Sequence, residues 1–305
     1  MGEAVEAAAG PADMPTLLSR LLLFLFGLGA VALPRVTPPV SLAVTGDVML
    51  GREVNVQSIR LKDFTYPFHS VSEFLSGSDM VLVNLESPIV ADCPQTSEGM
   101  VFCSPPASVD GLVRAGVTVA NLANNHALNY GPSGLAHTAD TLASHGISPV
   151  GLGSPVVKSV KGHRFGFLGY NAVGSPQTGI AWADPDRLQA DIADLASRVD
   201  YVVVTLHWGQ EYTAIPTARQ VSLAHAAVDA GADIVVGHHP HWTQTVEEYQ
   251  DKHIVYSLGN FVFDQLWSTP TRQGYVAQFT FSPQGNIDLQ LRPVLINTDF
   301  QPVLQ

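Results

Sequence analysis

Apolar runs of five to seven residues recur along this chain, and most are followed at once by a residue able to bind metal or phosphate. Between these runs the apolar spacing changes to the three-and-four pattern of helices. The run at Leu42–Val44 predicts a strand ending at Gly46-Asp47, and Met80–Leu85 predicts another ending at Glu86. Val117–Leu122 leads into Asn124-Asn125-His126, Tyr201–Leu206 into His207, and Ala232–Val236 into Gly237-His238. A further strand is expected over Arg164–Gly169. Helical stripes fall at Phe68, Val71, Phe74 and Leu75; at Val109, Leu112 and Val113; at Leu135, Thr138, Ala139 and Leu142; and at Leu188, Ile192, Leu195 and Val199. A last helix is expected from about Thr217 to Ala230, with Gly231 after it. Beyond residue 250 the segments "HIVYSLG", "GYVAQFTFS" and "NIDLQLRPVLI" are strands with no helix between them. The alternation predicts an α/β fold with parallel strands that passes into a β-meander. Polar motifs at the carboxyl ends of parallel strands share one rim of a sheet, where loops build sites.

Composition narrows the function. With 305 residues, 46% hydrophobic and only 14% charged, the chain can bury a substantial core. Its net charge of −12 argues against a nucleic-acid partner, which would ask for a basic face. The first forty residues read as an export signal or signal-anchor with a Pro-rich linker, and residues 41–305 as the functional domain. Leu21–Leu33 is an uncharged apolar run, short for a membrane span, with Arg20 before it and a small-x-small pattern at Ala30-Val31-Ala32. Met14 would serve as an alternative start. The expected location is therefore outside the cytoplasm, secreted or membrane-anchored. There Cys93 and Cys103, ten residues apart in one loop, could be bonded; in a reducing compartment they would be two separate small residues.

Each motif has a bland reading beside the chemical one. Asp47 would ligate a hard ion or cap a turn. Glu86 would be a ligand or the ionic partner of Arg52. Asn125 offers an amide oxygen to a metal, Asn124 is a neighbouring candidate, and His126 would protonate a leaving oxygen or steady developing charge, unless it is an ordinary core residue. His207 is a candidate imidazole ligand. "GHHPH" carries the strongest signal: His239 and His241, two apart, face the same way if the backbone is extended, and His238 lies beside them.

Taken together, "TGDVMLGR", "NLESPI", "NLANNHALNYG", "LHWGQEY", "GADIVVGHHPHW" and "IVYSLGNFVFD" resemble the CapA-type proteins of poly-γ-glutamate capsule synthesis. That family is similar to the calcineurin-like metallophosphoesterases. The resemblance implies a four-layer α/β/β/α sandwich. It implies one or two divalent ions of Mn, Fe or Zn type held by Asp47, Glu86, Asn125, His207, His239 and His241. It also implies a catalytic group of His126, Asn125 and Arg52, the last for a phosphate oxygen, with Asn260 as a further candidate. Glu86 falls where the phosphoesterases place a bridging carboxylate. Met49 stands where they carry a histidine, and Asn129 where the CapA type often has Asp. The expected consequence is one tightly held ion and a second that is weak or absent. Two functions follow: hydrolysis of phosphoester bonds, or non-catalytic binding of poly-γ-glutamate and assembly with membrane synthase subunits.

Overall fold

Two β-sheets pack face to face, and helices cover the outer face of each. The computed structural model describes residues 38–305, together with 1, 2 and 4. The expected export segment, Arg20 through Leu33, lies outside the described residues. No helix among the described residues is long and apolar enough to cross a membrane.

The strands are β1 (Val40–Val48), β2 (Met80–Leu85), β3 (Val119–Asn121), β4 (Ser148–Val150), β5 (Val156–Val160), β6 (His163–Asn171), β7 (Tyr201–His207) and β8 (Ile234–His238). They continue with β9 (Val246–Tyr249), β10 (Lys252–Val255), β11 (Asn260–Val262), β12 (Gln273–Phe281), β13 (Ile287–Ile296) and β14 (Pro302–Leu304). The first sheet runs β14-β13-β12-β1-β2-β3-β4, with β11 added beside the end of β1. The second runs β5-β6-β7-β8-β10-β9. Within them β1–β4 are parallel, as are β6, β7, β8 and β10. Helices α1 (Arg52–Leu61), α2 (Ser72–Ser76), α3 (Val109–Arg114) and α4 (Gly131–Ser144) belong with the first sheet; α5 (Pro185–Ala196) and α6 (Ala218–Asp229) pack on the second. A short α7 (Thr269–Arg272) precedes β12.

Period-two alternation sorts each strand's side chains into layers. Val40, Leu42 and Val44 of β1, Met80 and Leu82 of β2, and Phe165 and Phe167 of β6 face the space between the sheets. They meet Tyr201, Val203, Ile234, Val236, Phe279 and Phe281 there. The intervening Ala43, Val81 and Val83 face the helices of the first sheet; Val202, Val204 and Val235 face α5 and α6. Burying each large apolar side chain contributes roughly 1.5–3 kcal/mol. The expected α/β/β/α sandwich is the observed one.

Some elements differ from the sequence reading. Phe68–Leu75 is not one helix but a 3₁₀ turn at Tyr66–Phe68 followed by α2. Its apolar spacing serves burial in the outer core, where Phe68, Val71 and Leu75 all lie. "HIVYSLG" gives only β10; the residues just after it form β11, which crosses to the other sheet to lie parallel to β1, and α7 stands before β12 where no helix was expected. The helix from Thr217 is held by a capping box in which the Thr217 hydroxyl and Gln220 satisfy each other's backbone amides.

Candidate metal centre

At the carboxyl ends of the parallel strands the inward alternation continues, but its chemistry changes. After Met80 and Leu82 the next inward residue of β2 is Asn84; on β3, Asn121 follows Val119; on β7, Thr205 and His207 follow Val203; on β8, His238 follows Val236. All are buried, as is Asp47 near the end of β1. Their hydrogen bonds form a chain across the first sheet. Asn121 donates to Asn84 Oδ1 at 3.0 Å, and Asn84 Nδ2 donates to Asp47 Oδ1 at 2.8 Å and lies 3.3 Å from His207 Nδ1. The backbone makes room for this layer. A Cβ on Gly46 would sit 2.1 Å from the Gly259 carbonyl oxygen, so only glycine lets β1 and the chain entering β11 approach this closely. The amide of Asp47 donates to that same carbonyl at 2.9 Å.

Around the layer converge the loop residues. Glu86 is fully buried just past β2, and both its carboxylate oxygens lack a hydrogen-bond partner. Its Oε1 lies 3.6 Å from His207 Nε2, 3.9 Å from His241 Nε2 and 4.0 Å from His126 Nε2. Asp47 lies 3.4 Å from His238 Nδ1 and 3.2 Å from His241 Nδ1, and accepts from the His239 amide at 3.2 Å. Asn125 Oδ1 lies 2.8 Å from His207 Nε2. Two groups of three have ligand atoms within 4.8 Å of one another: Asp47, Glu86 and His207, and Glu86, His239 and His241. Glu86 is common to both.

Such a set fits a divalent cation. Buried polar atoms are almost always hydrogen-bonded, yet here both Glu86 carboxylate oxygens, His238 Nε2 and His239 Nδ1 have no partner. A mixed carboxylate, imidazole and amide donor set suits Mn, Fe or Zn.

The electrostatics of the bare site are strained in the same direction. Burial, then the charge of Asp47, pushes Glu86 well above the usual carboxylate range. For Asp47 burial acts upward too, but the hydrogen bonds and charges of His238 and His241 outweigh it and hold it well below. Burial, reinforced by His241, drops His239 to about 3, and burial takes His126 down to about 4. For His241 burial pulls downward, but Glu86 and Asp47 outweigh it and lift it to about 9.

The structure corrects two sequence-based expectations. His239 and His241 do not converge through extended backbone. Their φ angles are 94° and 56°, a left-handed turn around Pro240 that swings both rings inward, with centroids 5.8 Å apart. Such backbone in non-glycine residues concentrates at functional sites. Arg52 is not the partner of Glu86. Its Nη2 is ion-paired with the buried carboxylate of Asp264, its Nη1 donates to the Gly99 carbonyl at 3.2 Å, and its guanidinium lies 4.7 Å from the Phe102 ring centre. Met49 packs among Phe102, Phe263 and Ile296, and its sulfur accepts from the Gly51 amide at 3.0 Å. A histidine there would bury its ring nitrogens in an apolar cluster.

Other candidates act through neighbours. Asn124 donates to the Leu85 carbonyl and accepts from the His126 amide, fixing the loop after β3. Asn260 Oδ1 takes His241 Nδ1 at 2.9 Å and so orients that ring. Asn129 Oδ1 takes His126 Nδ1 at 3.0 Å. Asn84, Asn121 and Phe102 went unread in the sequence; for the first two, their inward register two residues after Leu82 and Val119 was the available signal. Cys93 and Cys103 are bonded, with Cα atoms 5.7 Å apart. A groove of about 1010 Å³ lies elsewhere, at the amino end of β1 beside Ser41, Lys252, His253 and Asp288.

Comparison with known proteins agrees with this fold. The fold is similar to a novel phosphatase from Mycoplasma pneumoniae, with TM-score 0.55 and 13% identity over 85% of this chain and 94% of that one. It is similar also to a hypothetical protein from Thermus thermophilus, with TM-score 0.54 and 16% identity over 83% and 99%. In sequence the chain is 35% identical to the capsule biosynthesis protein CapA of Bacillus anthracis, over 84% of this chain and 67% of that protein. It is equally 35% identical to the PGA biosynthesis protein CapA of Bacillus subtilis, over 84% and 72%. A probable polyglutamine synthesis accessory protein of Mycobacterium tuberculosis is 31% identical, over 72% and 65%. Residues 41–265, the stretch that holds every residue of the centre, match the family described as bacterial capsule synthesis protein PGA_cap, and the chain belongs to that family.

Proposed function

We propose that this chain is an extracytoplasmic protein of poly-γ-glutamate capsule synthesis or export whose rim site is a metal-dependent phosphoesterase. The observation that carries the reading is Glu86: a fully buried carboxylate with both oxygens unpartnered, shared by two converging ligand groups. Asp47, Glu86, His207, His239 and His241, with Asn125, would hold one or two divalent ions. Such ions polarise a phosphoryl oxygen and make bound water acidic enough to act near neutral pH.

The chain's own residues then have assignable tasks. Asp47, kept ionised by two imidazoles, supplies fixed negative charge. His126, neutral, donates from Nδ1 to Asn129 and presents Nε2 as an acceptor toward the site. That tautomer suits taking a proton from the attacking water more than delivering one to a leaving oxygen. Asn260 and Asn84 keep His241 and Asp47 aimed. With Arg52 bound to Asp264, the centre itself is the cationic patch by which an acidic protein would attract an anionic substrate. The Cys93–Cys103 bond supports a location where disulfides persist.

The relatives' names favour a second reading, an accessory that binds polymer or assembles with a membrane synthase without turnover. Elemental analysis of purified protein, followed by assays on a phosphodiester, a nucleotide and poly-γ-glutamate, separates the two. Stoichiometric metal with phosphoester turnover is expected. Metal with polymer binding and no turnover would move the assignment to the accessory, and absence of metal would overturn both the centre and the enzyme.

A further inference from the structure

Beside the centre lies a loop with little to hold it. Residues 91–101 carry no backbone–backbone hydrogen bond among the described residues, and Met100 and Val101 are more than half exposed. The loop is gripped at its ends. The Ile89–Ser104 bridge anchors one side, Arg52 holds the Gly99 carbonyl, and the disulfide joins Cys93 to Cys103. Immediately before Cys103 comes Phe102, which is buried. Its ring stacks on His126 with centroids 4.0 Å apart and planes 24° apart. Its amide donates to Asn129 Oδ1 at 2.7 Å, the oxygen that also takes His126 Nδ1. One residue thus restrains the His126 ring twice, across its face and through the amide that sets its tautomer.

We infer that Phe102, locked in place by the Cys93–Cys103 disulfide, is a positioning residue for His126, so that the centre is complete only while that bond is intact. The inference rests on the phosphoesterase reading for its kinetic consequence but not for its geometry. Without the bond, Phe102 stands at the root of an exposed loop with one fewer tie, and its ring can leave the face of His126. Catalytic groups lose effectiveness steeply when displaced by an ångström or so. Phe102 belongs to neither ligand group, so metal affinity is not expected to follow.

The test uses the full chain loaded with zinc, which is diamagnetic. The His126 Cε1–H resonance, assigned through His126→Gln, should lie upfield in the native protein because of the stacked ring. In the Cys93→Ser/Cys103→Ser variant it should move downfield toward its position in Phe102→Leu. Zinc content should stay constant, while kcat on a phosphodiester falls about tenfold and KM changes less than about twofold. Phe102→Tyr should restore both shift and kcat. A Cys variant with native resonance and native kcat overturns the inference, as does Phe102→Leu with native kcat. If the double serine variant does not fold, reduction of folded protein with a phosphine reductant, which carries no zinc-binding thiol, makes the same comparison. If the native chain hydrolyses no phosphoester, the resonance decides alone: a downfield move upholds the inference while the proposed enzyme falls.

Discussion

The space between the two sheets has two ends built from the same strands in the same alternation. At the amino ends the inward residues are Leu42, Met80, Leu82, Phe165, Phe167, Phe279 and Phe281. At the carboxyl ends they are Asn84, Asn121, His207 and His238, with Asp47 beside them. Both ends are equally dry, so burial alone does not distinguish a core from a site. What differs is satisfaction. The apolar end gains from every atom it hides, whereas the polar end hides carboxylate and imidazole atoms that have no partner within the chain. The first end stabilises the fold and the second draws on that stability to keep a cation site organised.

Several measurements would break or sharpen this contrast. The greatest effect is expected from His239→Ala with His241→Ala, which removes two of the three donors in one ligand group. Bound metal should fall from stoichiometric to none by elemental analysis, with the far-ultraviolet circular dichroism unchanged. Unchanged metal content would mean the polar end is not a metal centre. At the other end, Phe167→Ala should cost about 3–5 kcal/mol in denaturant unfolding by leaving a cavity between the sheets. Metal affinity should stay within about twofold, and a large affinity loss would show that the ends are not separable.

Glu86→Gln should have opposite signs in the two assays. Affinity should fall by about 100-fold or more, since even outer hydrogen-bonding partners of ligands carry 10–100-fold. The metal-free protein should nevertheless melt at a higher temperature, because a buried carboxyl without partners is replaced by a neutral group. A lower melting point would show that Glu86 is satisfied without an ion. Asn260→Ala, which only frees His241 to turn, should cost about tenfold in affinity by calorimetric titration.

A last expected effect is a slope. In chelator, His126 and His239 are held neutral in the fold, with pKa values of about 4 and about 3, against 6.5 in the unfolded chain. Below pH 6.5 the unfolded state takes up protons that the folded state refuses. Stability from these two groups is therefore complete above that pH and is lost as pH falls toward 4 and then 3. Thermal melts between pH 7 and pH 4 should show the decline, and His126→Gln or His239→Gln should flatten it. A slope unchanged by both substitutions would exclude these rings as its source.

The sequence made the polar end visible because each strand there finishes abruptly in a ligand-type residue. Asp47, Glu86, Asn125, His126, His207, His239 and His241 all reach the one rim. What stayed hidden was whatever depends on partners distant in the chain. Asn84 reads as a polar interruption of an apolar run until β3 and β7 place Asn121 and His207 beside it. Arg52 looks free until the loop after β11 brings Asp264 to it. The left-handed turn at His239 and His241 carries no glycine to announce it. The strands β5 and β14 and helix α1 were missed because half-exposed elements lack a strong apolar rhythm.

The tight crossing of Gly46 and Gly259 bears on how such a site can change over evolutionary time. Asp47 and Asn260, each one residue beyond, are in register with each other across that crossing. The spacing between one ligand and the residue that aims another is therefore written into the main chain. Lineages can exchange ligand side chains one at a time, but any side chain at Gly46 meets a carbonyl oxygen at once. Adaptation toward a larger ion would have to come from the opposite side of the rim, the loops after β2 and β7, while the β1–β11 seam stays fixed.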